Sequence, residues 1–263
     1  MAKVKITGHA LGTGVVTVTA PNTSTDRTIT LPDATATIAT TTDVAAKLNL
    51  AGGSMTGHLE LNDNVKAAFG QSGDLEIFHD GSHSRIKDVG TGHLVLSGGE
   101  IHFNDSSNSN NRIKIDSTGA VTMPAQPAFL ANNNSNQTLS NNTVLQFPTE
   151  RFDQNGDYNN STYTFTAPVT GKYFFGGMMR IDDISNSGEY LRMHLRTSNA
   201  DYAWITNQAR WDQTSLYTTI NVSLLVDMDA ADTCKLVWNV GGGGGTPHLD
   251  GGLNAAFSGH LVC

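Results

Sequence analysis

The large side chains of this chain sit almost entirely in its second half. Of ten Phe, six Tyr and three Trp, only Phe69, Phe78 and Phe103 precede residue 127. A thick hydrophobic interior is built from such residues, so 127–263 can fill a globular sandwich while 1–126 cannot. Two architectures are therefore expected in one chain of 263 residues.

In the aromatic-rich half, apolar residues alternate with polar ones at the period of a β-strand. Within Leu216–Met228, Leu216, Ile220, Val222, Leu224, Val226 and Met228 point one way with Thr218, and Tyr217, Thr219, Asn221, Ser223 and Asp227 point the other. Leu191, Met193 and Leu195 share a face opposite Tyr190, Arg192, His194 and Arg196, and Cys234, Leu236 and Trp238 share another. Strands are expected near 171–181, 189–197, 202–210, 215–228, 233–240 and 253–262. Gly171–Ile181 differs in being apolar on both faces, with Tyr173, Phe175, Met179 and Ile181 opposite Phe174 and Met178. Such a strand fits either a trimer, where one face meets a neighbouring subunit, or burial between two sheets of a monomer. Tyr173, Phe174, Phe175, Met178, Met179 and Phe257 are accordingly read as trimer-interface or core residues. Cys263 shares a face with Phe257 and Leu261, so both cysteines, Cys234 and Cys263, are expected to be core thiols.

The first half carries short strand signals divided by turns. Gly14–Ala20 and Arg27–Leu31 alternate with threonine, and Thr42-Asp43 can cap a short helix near 42–50 that Gly52-Gly53 ends. Further on, Leu75–His79, His93–Ser97, Glu100–Phe103, Arg112–Asp116 and Ala120–Met123 read as strands, with turns at Asp80-Gly81, Gly98-Gly99 and Ser117–Gly119. Leu59 and Leu61 give an apolar edge with no second layer to cover it, which three copies around an axis would close. The fold class expected is all-β: an anchor over 1–60, a β-hairpin shaft or knob over 61–126, and an antiparallel jelly-roll head over 127–263.

Composition limits the function. Sixteen Lys and Arg against 24 Asp and Glu, a net charge of −8, form no basic stripe for phosphate, so a nucleic-acid partner is not expected. No apolar run approaches the roughly 20 residues of a membrane span and no signal-peptide core opens the chain, so neither membrane insertion nor a secreted adhesin is expected. Two cysteines make neither a disulfide scaffold nor a metal motif. No nucleophile elbow or His-Glu-X-X-His segment is present and the acids fall in turns, so no enzyme is expected. His79, Asp80 and His83 have the residue types of a metal site, but residues flanking an Asp-Gly hairpin are ordinarily surface groups. The Gly241–Gly245 run lacks the strand, helix and lysine of a phosphate loop.

Two resemblances sharpen this reading. Leu48–Leu61 (LNLAGGSMTGHLEL) resembles a segment that recurs in fibre proteins of tailed bacteriophages, and Thr28–Gly57 is similar to the N-terminal parts of such fibres from marine cyanobacterial phages. Asp74–Leu96 resembles a hairpin module of the same fibres. Tyr163–Phe175 (YTFTAPVTGKYFF) and Phe257–Val262 (FSGHLV) resemble the two ends of the complement/tumour-necrosis-factor-like trimeric jelly roll. The combination implies a homotrimeric virion tail fibre, made in the host cytoplasm. Its N-terminus would join other tail or baseplate proteins and its head would bind a glycan or protein of the host cell surface. A capsid head fibre or decoration protein without an essential receptor role is the alternative.

Antiparallel alternation then places the loops 182–188, 211–214 and 241–252 at the end of the head away from the shaft. The candidate receptor contacts are Asp182, Asp183, Asn186, Trp211, Asp212, Gly243, His248 and Asp250, with Trp211 alternatively a core plug. No cofactor is implied, although Asp182, Asp183, Asp212 and Asp250 are the oxygen-rich set that calcium prefers.

Overall fold

Every second residue of Gly171–Ile184 from Tyr173 to Ile181 is buried, and the alternation through this strand organises the head. Its inward side chains Tyr173, Phe175, Met179, Ile181 and Ile184 are fully buried, whereas Phe174 and Met178 on the other face are 37% and 40% exposed. The computed structural model describes residues 11–14, 17, 24–26, 54–185, 188–207, 215–242 and 246–263. Apart from Gly14 and Thr17, the strands expected in 14–20 and 27–31 lie outside the described residues, as does the helix near 42–50.

The chain divides into two compact units, Met1–His93 and Leu94–Cys263. In the first, β1 (Ala67–Phe69), β2 (Leu75–His79) and β3 (Ser84–Asp88) form an antiparallel sheet in that order. In the second, β4 (Ile101–Asn104), β5 (Asn111–Ile115) and β6 (Val121–Thr122) form another three-stranded sheet. His93–Ser97 is not a strand, contrary to its alternating pattern, so Gly98-Gly99 turns no hairpin. Leu94, Val95 and Leu96 are all exposed, and strand propensity without a partner edge does not make a strand.

The two small sheets repeat one hairpin. Glu76–Asp80 (EIFHD) returns through Arg85–Asp88 (RIKD), and Glu100–Asp105 (EIHFND) returns through Arg112–Asp116 (RIKID). In each, the Asp at the end of the outgoing strand closes the turn by donating its own amide to a carbonyl, Asp80 to His83 at 3.0 Å and Asp105 to Asn110 at 3.0 Å. Its carboxylate collects the amides of the loop and pairs with the returning Arg, Arg85 or Arg112. The second copy has a longer loop, absorbed by a register shift between Phe103 and Asn104.

The head begins with β7 (Ala128–Asn132), β8 (Gln137–Thr138), β9 (Thr143–Val144), β10 (Thr149–Asp153), β11 (Tyr158–Asn159) and β12 (Thr164–Thr166). The long strands β13 (Gly171–Ile184), β14 (Tyr190–Thr197), β15 (Asp201–Asn207), β16 (Ser215–Met228) and β17 (Thr233–Gly241) follow, then β18 (His248–Leu249), a 3-10 turn over Gly252–Asn254 and β19 (Ala255–Leu261). One antiparallel sheet runs β10-β7-β19-β13-β18-β8 with β16 also paired to β13, and the other runs β11-β12-β17-β14-β15 with β9 on β17. The first and last strands of the head, β7 and β19, are neighbours, as a jelly roll requires.

Aromatic rings fill the space between the sheets. Phe129 stacks on Tyr158 at 4.6 Å between centroids and meets Phe257 edge-on at 5.0 Å, and Phe165 meets Phe175 at 5.3 Å. Gly259 makes this possible, since a β-carbon there would lie 2.4 Å from the Phe175 ring. Of the residues read as interface or core, Tyr173, Phe175, Met179 and Phe257 belong to this core, and Phe174 and Met178 face outward.

Two expectations are corrected. Cys234 is a buried thiol, but Cys263 is exposed, because β19 ends at Leu261 and the last two residues run past the sheet. His194, expected on the solvent face of β14, is only 6% exposed, since the polar side chains of Asp201 on β15 and Asn239 on β17 close over it.

Candidate functional site

Strand β13 carries Arg180 and Asp182 two residues apart, so both side chains stand on its outer face. The guanidinium lies along the carboxylate, with Nε donating to Asp182 Oδ1 at 2.9 Å and Nη2 to Oδ2 at 3.2 Å. From β16, the Tyr217 ring lies under the same guanidinium, 4.6 Å from its carbon. From the segment after β18, Asp250 approaches Arg180 Nη1 at 3.6 Å and donates its amide to the Arg180 carbonyl at 2.9 Å. Asp182 pairs in register with His248 on β18, and the His248 ring lies 3.3 Å from Asp183. The hydrogen bond to Asp182 raises the Arg180 pKa, keeping this cation charged throughout.

Of the residues anticipated from sequence, Asp182 and Asp250 therefore meet at Arg180, and Asp183 and His248 pair beside them. Their placement differs from the loops expected. Strand β13 continues to Ile184, so Asp182 and Asp183 are strand residues, and His248 belongs to the two-residue strand β18. Asp183 has φ 57°, a left-handed backbone that Asp tolerates better than branched residues do. Asn186, Trp211, Asp212 and Gly243 lie outside the described residues. Sequence reading missed Arg180 and Tyr217, although the signal was present: Arg180 is the one basic residue between Lys172 and Arg192, two positions before an Asp pair.

This cluster lies at the end of the head opposite the chain entry. Leu261 donates its amide to Pro127 at 3.0 Å and Lys172 donates its own to Cys263 at 2.8 Å, which puts the entry, the C-terminus and the start of β13 together. Two carboxylates of the cluster, Asp182 and Asp250, are engaged by the Arg180 guanidinium. Among the described residues, no three His, Cys, Asp or Glu side chains gather as metal ligands. In the first hairpin, His79 Nδ1 faces Ser84 Oγ at 3.3 Å and the Asp80 carboxylate is taken by Arg85.

A second polar network lies on the other sheet. His194 Nδ1 donates to Asp201 Oδ1 at 2.7 Å, and Asn239 Nδ2 donates to His194 Nε2 at 2.9 Å. Asn239 Oδ1 in turn accepts the amide of Asn142 at 2.6 Å, tying the turn before β9 to the sheet. Burial pushes the Asp201 carboxyl up, but hydrogen bonds from His194 and Arg196 outweigh it and leave it below the usual range.

The C1q domain family matches residues 128–262, more than half of the chain. The chain belongs to the C1q domain family. Among solved structures, the C1q head is similar to the globular domain of a zebrafish complement 1qA protein at 19% identity, covering 52% of this chain and 98% of that one with a TM-score of 0.41. It is also similar to Eiger TNF from S. frugiperda, at 10% identity over 52% of this chain and 94% of that one with a TM-score of 0.40. Murine APRIL is similar at 7% identity over 52% of this chain and 99% of that one, with a TM-score of 0.39. No curated protein matches the chain. C1q domains are typically binding or structural domains, and they often form trimers.

Proposed function

We propose that this chain is the homotrimeric tail fibre of a tailed-bacteriophage virion, with its C1q head meeting the host cell surface. The observation that carries the reading is the placement of a charged cluster, Arg180 with Asp182, Asp183, His248 and Asp250, at the end of a rigid head opposite its entry strand. Polar and charged groups held on paired strands suit recognition of a glycan or protein, since the scaffold has already met the cost of ordering them. The fibre context comes from the resemblance of Leu48–Leu61 and Thr28–Gly57 to phage fibres, and the N-terminal segment is the part that joins the tail or baseplate. Synthesis in the host cytoplasm and residence in the virion follow from that reading.

Attachment by such a fibre is multivalent. Weak tips engaged together exceed one tip by orders of magnitude, roughly a hundredfold or more. With a net charge of −8 per chain, approach to an anionic cell surface improves as salt screens the repulsion.

Electron microscopy of the parent particle, labelled with antibody against residues 127–263, tests the proposal. Label on tail appendages supports it; label over the capsid favours the decoration reading, and particles without label overturn both.

A further inference from the structure

In a chain of net charge −8, the outer face of the sheet built on β14 and β17 gathers cations. Alternation along β14 puts Arg192 and Arg196 on the side opposite the buried Leu191, Met193 and Leu195, and register sets Lys235 of β17 directly across from Arg196. The carboxylate on this face is Asp201 of β15, and His194 and Arg196 already hold it. Like charges placed opposite one another on neighbouring strands repel, and a single carboxylate only partly offsets Arg196 and Lys235.

Arg192 is short of a partner altogether. Its guanidinium lies over the ring of Tyr190, 4.7 Å from the centroid, and its Nε is buried without a hydrogen bond. Asn239, which faces Arg192 in register, has its side-chain oxygen taken by the Asn142 amide. Among the described residues, neither Arg192 nor Lys235 forms an ion pair. A guanidinium held against a ring with its donors unused is shaped for an oxyanion, which offers two acceptors to the planar fork.

We infer that this face binds an acidic polysaccharide, with one carboxylate or phosphate oxyanion on Arg192 and another on Arg196 and Lys235. Spacing selects a polyanion over a single ion. Four residues of strand separate Arg192 from Arg196, roughly 13 Å, and the His194–Asn239 pair lies between them. The rest of the face selects a glycan over a peptide. On β14, β15 and β17 its large exposed aliphatic side chain is Ile205, opposite Arg192, whereas a peptide interface is anchored by a cluster of apolar side chains. The surface lies on the other sheet from Arg180, and the inference holds whether or not the chain is a tail fibre.

The test measures binding of the purified full chain to polygalacturonate and to poly(glycerol phosphate), at low and at high salt, beside neutral dextran and polyglutamate. The chain is expected to bind at least one of the two acidic polymers and not dextran, and to bind more weakly as salt rises. Polygalacturonate alone assigns a carboxylate, poly(glycerol phosphate) alone a phosphate, and both together the oxyanion they share. Arg192→Gln is expected to weaken binding about tenfold and Lys235→Gln about threefold, with Arg192→Lys between the parent and Arg192→Gln. Lys87→Gln, which removes the same charge from the first hairpin, is expected to change nothing. Lys235 holds no other part of the head, so its variant keeps the test decisive if Arg192→Gln lowers the urea midpoint. No binding by the parent chain, no loss in either head variant, or an equal loss in Lys87→Gln overturns the inference. Tighter binding of polyglutamate than of both acidic polymers overturns it as well.

Discussion

His194 and Asn239 face each other 2.9 Å apart on neighbouring strands, and the amide that Asn239 takes from Asn142 fixes which end of its side chain meets the imidazole. Nε2 of His194 is therefore an acceptor, and Nδ1 carries the hydrogen that it donates in its bond to Asp201. Removing the Asp201 carboxylate leaves a buried donor without its partner. Asp201→Ala is expected to destabilise the head by about 1–3 kcal/mol, read from the urea midpoint at neutral pH. The Asp201 carboxyl titrates lower in the folded chain than in the unfolded one, so its contribution is complete above the ordinary carboxylate range and lost as pH falls through the folded value. The gap between parent and variant should narrow on acidification.

The first hairpin is acid-sensitive by the same logic. The Arg85 hydrogen bond and the His83 amide hold the Asp80 carboxyl down to about 2 from 3.8, so the turn is stabilised above pH ~4 and loosens as pH falls towards 2. The protection of the Ser82 and His83 amides relative to a free peptide at the same pH is expected to fall over that window, and Arg85→Ala to shift the loss of protection to higher pH.

The two thiols should separate cleanly. Cys263 is exposed, whereas Cys234 is fully buried and its pKa is pushed far up by that burial. One equivalent of an aromatic disulfide reagent is expected to react promptly with the native chain, and the second only on unfolding. Two prompt equivalents would contradict the packing of β17.

At the end of the head, Arg180 gathers two carboxylates and a tyrosine ring, all partly exposed. Exposed ion pairs contribute little to stability, so Arg180→Ala is expected to leave the urea midpoint nearly unchanged. On the proposed receptor-binding role of the head, binding of the full chain to host cells should nevertheless fall about tenfold or more, because the side chains around Arg180 lose their fixed arrangement and avidity multiplies the loss. Unchanged cell binding would remove this cluster from the proposed receptor surface.

The long strands of the head could be read from sequence because they are half-buried: Leu191, Met193 and Leu195 alternate with polar neighbours, and the structure buries those three. Where burial is absent the signal fades. Strand β3, SRIKD, is exposed at every position, and its one apolar residue, Ile86, gives no alternation to detect. His93–Ser97 alternates well and forms no strand, since alternation says nothing about whether a partner edge exists. The charged cluster was half legible. Alternation brought β13 and the segment after β17 to one end, but the pairing of Asp182 with His248 depends on β18, two residues too short to leave a periodic trace. The repeat of the hairpin was visible in the letters, once the longer second loop is allowed for.

The adjacency of Pro127 and Leu261 makes the head a nearly closed ring of chain, with its nick between two neighbouring strands inside one sheet. A short peptide could bridge the nick, and new termini could be opened in an exposed turn such as 154–156 without breaking a ladder of β13. The head should therefore tolerate circular permutation, and its attachment to whatever precedes it is a matter of where the ring happens to be cut.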